Sequence, residues 1–102
     1  MSLVDEVSAR MKDAMRNQEK ARLQALRGIR ARIIEAQKAE GADGELSDEA
    51  VLQILRKLAK QRAESIAAYE DAGRDDLVSA EKAELEVIEG FLPALADAER
   101  SE

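Results

Sequence analysis

The chain has 102 residues, room for one domain rather than two. With no cysteine it has no disulfide, thiolate nucleophile or thiolate metal site, and with no histidine it lacks the usual general base at neutral pH and the commonest metal ligand. Its net charge of −6, from 22 acidic and 16 basic side chains, disfavours non-specific binding to nucleic acid, and DNA is not an expected partner; a local basic stripe is still allowed.

Apolar residues make up 45% of the chain, yet Phe91 and Tyr69 are its only aromatics. Ala, Leu, Ile, Val and Met supply the rest, a mix in which helix formers dominate. Five glycines and one proline are too few for a turn-rich β fold. The expected class is all-α: an antiparallel, up-down four-helix bundle of two helical hairpins. No signal-peptide pattern opens the sequence and no apolar run approaches about 18 residues, so a cytoplasmic protein without membrane contact is expected.

Ser2 is a good N-cap, with Asp5 three residues on as an acidic variant of the capping box. Leu3, Val4, Val7, Met11, Ala14 and Met15 then share one face of a first helix. The pattern breaks at Asn17, itself a plausible N-cap for a second helix from about Gln18 to Glu40, with Leu23, Leu26, Ile29 and Ile33 as its apolar stripe. Gly41 is placed to end it, and Gly41 to Glu45 forms a loop. Ser47 caps a third helix, Asp48 and Glu49 complement its dipole, and Leu46 can staple onto Val51. Val51, Leu55, Leu58, Ile66 and Tyr69 mark its apolar face as far as Ala72, with Gly73 as the left-handed residue beyond. Asp75 is the expected cap of a fourth helix, with Leu77, Leu85, Ile88 and Leu92 inward and Pro93 as its stop. The domain then spans residues 1–93, with residues 94–102 as a short polar tail.

Charges interrupt these stripes. Arg30 falls between Leu26 and Ile33, Arg62 crosses the stripe of the third helix, and Glu81 and Glu84 lie on that of the fourth. A buried charge without a partner costs several kcal/mol. Across the Gly73 turn Arg62 is nearly level with Glu84, and Tyr69 with Glu81. One reading is a structural ion-pair network of Arg30, Arg62, Tyr69, Glu81 and Glu84 that fixes helix register. The other is an acid/base or ligand site built from Arg62, Tyr69, Glu81 and Glu84, although an arginine beside a glutamate lowers its pKa and works against a general acid.

Lys20, Arg27 and Lys38 align along the second helix, and Arg56, Lys57 and Lys60 cluster on the third. They are candidates to track RNA phosphates, or an ordinary solvated face. No aromatics interleave them. No phosphate loop, metal-ligand spacing or nucleophile elbow is present, so no catalytic residue, metal or cofactor is expected.

The string Lys60-Gln61-Arg62, Glu64-Ser65-Ile66, Tyr69, Ala72-Gly73-Arg74, Asp76-Leu77-Val78, Glu81, Glu84-Leu85, Val87-Ile88 and Phe91-Leu92-Pro93 resembles the signature of the GatB/YqeY family. Met11-Lys12, Ala14-Met15, Arg22-Leu23 and Leu26-Arg27 match its start. The resemblance runs over residues 1–93. It implies a helical domain related to the C-terminal region of GatB, a subunit of the glutamine-dependent tRNA amidotransferase, where that region helps hold tRNA and other domains carry the chemistry. Family members usually continue after the proline into a second small helical domain, where this sequence has Ala94 to Glu102. The expected function is a non-catalytic accessory domain associated with tRNA or with an amidotransferase or other translation-related protein. The alternative is a protein–protein interaction module with no RNA partner; a carbon–nitrogen ligase role would follow from kinship alone.

Overall fold

Four helices account for most of residues 2–40 and 46–92, the part of the chain that the computed structural model describes: α1 (Leu3–Arg16), α2 (Lys20–Glu40), α3 (Asp48–Asp71) and α4 (Asp75–Glu89). No strand occurs among the described residues, so the class is all-α. The chain divides into two compact units between Ile54 and Leu55. The first holds α1, α2 and the opening turns of α3; the second holds the rest of α3 with α4. The loop from Gly41 to Glu45, Pro93 and the tail Ala94–Glu102 lie outside the described residues.

In the first unit, Ser2 opens α1 as expected, its Oγ accepting a 3.1 Å hydrogen bond from the Asp5 amide. A second cap comes from far along the chain: the Leu3 amide donates to Asp48 Oδ1 at 2.9 Å, so the first residue of α3 satisfies an orphan donor of α1. Ser47 repeats the local pattern for α3, accepting from the Ala50 amide at 3.2 Å. Val7, Met11 and Ala14 of α1, Ala25, Leu26, Ile29 and Ile33 of α2, and Val51 of α3 are buried. Leu3 and Val4 are half-buried, whereas Met15 is 57% exposed. Met15 occupies the last turn at the edge of the apolar arc, about 80° from Val7 at 3.6 residues per turn.

The turn from α1 to α2 differs from expectation. Asn17 is the C-cap of α1, and Gln18 takes the left-handed conformation at φ 57°. The Glu19 amide donates back to the Ala14 carbonyl and the Gln18 amide to that of Met15, the two bonds of a Schellman motif. The reversal uses residues 17–19, so α2 starts at Lys20 rather than Gln18.

In the second unit the same motif ends α3, here with glycine. Gly73 has φ 68°, its amide donates to the Glu70 carbonyl, and the Arg74 amide donates to that of Tyr69. The Arg74 carbonyl then accepts from the amides of Leu77 and Val78. Arg74, not Asp75, is therefore the N-cap of α4, and no side chain caps it. Leu55, Val78, Ile88 and Phe91 are buried, while Leu58, Ile66, Tyr69, Leu77 and Leu85 are half-buried. Val78 and Phe91 were absent from the expected stripe. On α4 the centre of the arc from Leu77 to Val78 falls on Glu81.

Candidate functional site

That placement turns Glu81 toward α3, where Arg62 lies near the middle of the arc set by Leu55, Leu58, Ile66 and Tyr69. Arg62 Nη1 donates to Glu84 Oε2 at 2.9 Å, and Arg62 Nε lies 3.1 Å from Glu81 Oε2. Both atoms of the second contact are shielded from solvent and are not aligned as a hydrogen bond. The Arg62 side chain is 29% exposed, Glu81 17% and Glu84 35%. One guanidinium thus bridges two carboxylates a helical turn apart. This arrangement neutralises charge inside the hairpin.

Tyr69 is half-buried on the same face and makes no hydrogen bond to Glu81 among the described residues. Arg30 is a clear departure from the expected network. It is exposed on α2, and it has no ion pair among the described residues. The stripe of α2 centres on Ile29, Ile33 and Leu26, and Arg30 projects about 100° from Ile29. Leu23, at the edge of the expected stripe, is only half-buried, and the buried arc from Ala25 to Leu26 excludes Arg30.

The six cations singled out on α2 and α3 are all exposed. Lys20, Arg27 and Lys38 lie on α2 in the first unit, and Arg56, Lys57 and Lys60 lie on α3 in the second. None has an ion pair among the described residues, unlike Arg10, Arg16, Arg22, Arg32, Arg62, Arg74 and Lys82. Residues 20–40 carry six cations and two carboxylates, a net +4 within a chain of −6. The positive charge of the first unit is thus concentrated on α2.

A cleft of about 560 Å³ opens beside Val4, Gln37 and Leu46, where Ser2 and Ser47 bring the starts of α1 and α3 together. Helix starts attract anions through unpaired amides. Here Ser2, Ser47 and Asp48 already occupy such amides, and Asp5 and Asp48 add negative charge at its wall. The cleft is therefore unsuited to phosphate. Among the described residues no group of three carboxylates converges as a metal site requires, and no helix is long and apolar enough to cross a membrane.

The family profile described as Yqey-like protein matches residues 4–102. The chain belongs to the YqeY-like family. Among curated proteins, it is 34% identical over 99 residues to a protein of Pyrenophora tritici-repentis named "Altered inheritance of mitochondria protein 41, mitochondrial", covering 94% of this chain and 54% of the relative. Proteins of the same name from Meyerozyma guilliermondii and Kluyveromyces lactis are 41% and 30% identical, over 62% and 90% of this chain and 34% and 49% of their own lengths. The chain of this YqeY-like protein spans about half the length of the curated relatives it matches. Their names correct the cytoplasmic expectation, because these relatives are mitochondrial proteins. Composition and the absence of a long apolar run describe a domain's solvent, not its compartment.

Proposed function

We propose that this YqeY-like chain is a non-catalytic accessory domain that holds tRNA through exposed cations of α2. The observation that carries the reading is the concentration of exposed cations on α2, four of its six without an ion pair among the described residues, at net +4 in a chain that is otherwise acidic. A protein whose positive charges were only solubilising would be expected to interleave them with carboxylates, as this chain does at Arg16–Asp13 and Lys82–Glu70. The kinship with the tRNA-holding region of GatB supplies the ligand class.

The alternative of a protein-interaction module has less behind it. Met15 and Ile34 are the large apolar side chains exposed among the described residues, one on α1 and one on α2. Single exposed hydrophobics of this kind are normal on a protein surface.

Counterion release sets the expected strength. Four to six phosphate contacts give a slope of log affinity against log salt of about −3.6 to −5.4. Raising salt from 50 to 150 mM should then weaken binding by roughly 50- to 400-fold. A titration of unmodified tRNA at the two salt concentrations tests this. Salt-insensitive binding would point to a different kind of site, and absence of binding at 50 mM would favour the protein-interaction alternative.

A further inference from the structure

We infer that α2 engages the sugar–phosphate backbone of base-paired RNA, with Arg30 as one of its contacts; this deepens the reading above and rests on it. Lys20, Arg27, Arg30 and Lys38 fall within about 80° of the circumference of α2, at 3.6 residues per turn, and extend along about 27 Å of its axis. All four are exposed and without an ion pair among the described residues. Arg27 and Arg30 are less than one turn apart, so two planar guanidinium groups present forks for phosphate oxygens side by side. Glu35, the carboxylate nearest Arg30 in sequence, lies 3.9 Å from Arg32 on the flank of the helix.

Single-stranded RNA is gripped by stacking its bases on aromatic side chains, whereas double-helical RNA is recognised by shape through phosphate and ribose contacts. Helix α2 has no aromatic residue. The two aromatics of the chain lie in the second unit, Phe91 buried and Tyr69 half-buried. A row of cations without a stacking platform matches phosphates held at regular spacing by a duplex.

The test titrates the full chain against a labelled RNA hairpin and an unstructured single strand of equal length, from 50 to 200 mM salt. Arg30→Gln is the variant, and Arg32→Gln, altering a flank residue of the same helix, is the control. Thermal melts should show both folded, since both side chains are exposed. The hairpin should bind more tightly than the single strand, and Arg30→Gln should reduce the hairpin's salt slope by about 0.9 while Arg32→Gln leaves it unchanged. Equal or tighter binding of the single strand overturns the duplex assignment, and an unchanged slope in Arg30→Gln overturns the role of Arg30. If tRNA binds but shows neither effect, this inference alone fails. If neither tRNA nor the hairpin binds, the function proposed above fails with it.

Discussion

Arg62 Nη1 donates a 2.9 Å hydrogen bond to Glu84 Oε2 across the turn that joins α3 to α4, while Glu81 faces the same guanidinium. Arg62 is the hub: without it, two partly buried carboxylates face each other with no cation. Arg62→Ala should cost about 2 kcal/mol, below the 3–5 kcal/mol of a fully buried pair because all three groups retain some solvent. A double-mutant cycle with Glu84→Gln should give a coupling above about 0.5 kcal/mol. Glu81→Leu should cost under about 1 kcal/mol, because Arg62 keeps Glu84 and the removed oxygen makes no aligned hydrogen bond. Chemical denaturation of the parent, the three single variants and the double variant checks the set. A parent-like Arg62→Ala would show that the pair contributes nothing to the fold.

Gln18 and Gly73 occupy the same place in the same helix-ending motif, at φ 57° and 68°. The left-handed conformation costs a side-chain-bearing residue about 1 kcal/mol, and glycine almost nothing. Gln18→Gly should stabilise the chain by up to about 1 kcal/mol, and Gly73→Ala should destabilise it by about the same amount. Nothing crowds the position of a Cβ at Gly73, so the effect would report backbone conformation alone. Melting curves that moved in the same direction for both variants would contradict this.

Local chemistry made most of the helix ends legible. Ser2 and Ser47 cap as their side chains dictate, and Gly73 turns left-handed because glycine bears no Cβ. Gln18 was not legible: the motif forms because the hairpin demands it, not because glutamine favours it. Periodicity placed Arg62, Glu81 and Glu84 on facing stripes, but only the structure shows which carboxylate takes the hydrogen bond. Arg30 was misplaced because a residue between two apolar positions in sequence need not point between them in space. The Asp48 cap on the Leu3 amide joins residues 45 apart, beyond the reach of any local pattern.

Gly28 lies in the middle of α2, exposed, and a Cβ there would meet nothing within 4 Å. Glycine inside a helix costs about 0.8–1.0 kcal/mol relative to alanine. Gly28→Ala should therefore raise stability by about that amount, read as a higher denaturant midpoint with an unchanged slope. A lower midpoint would mean that the backbone at Gly28 is not regular helix.

Arg74 grips Asp76 with two hydrogen bonds, Nε to Oδ1 at 3.3 Å and Nη2 to Oδ2 at 3.2 Å. The guanidinium, helped by the Leu77 and Asp76 amides, holds the Asp76 carboxyl below the usual aspartate range. A carboxyl lowered in the folded state contributes its stability above the unfolded value and loses it as pH falls through the folded one. The effect thus lies below about pH 4. Carboxyl-detected NMR should find Asp76 titrating below the usual aspartate range, and Arg74→Ala should raise its pKa. An Asp76 pKa unchanged by that substitution would assign the shift to the helix start instead.

Exposed cations of α2 are proposed to hold tRNA, and charge reversal tests that proposal most directly. Arg27→Glu combined with Lys38→Glu alters two exposed cations of α2, both outside its apolar stripe, so the variant should melt like its parent. In an anisotropy titration with labelled tRNA at 50 mM salt, the loss of two phosphate contacts should weaken binding by about 10²-fold. A folded double variant that binds tRNA as tightly as the parent would contradict the account.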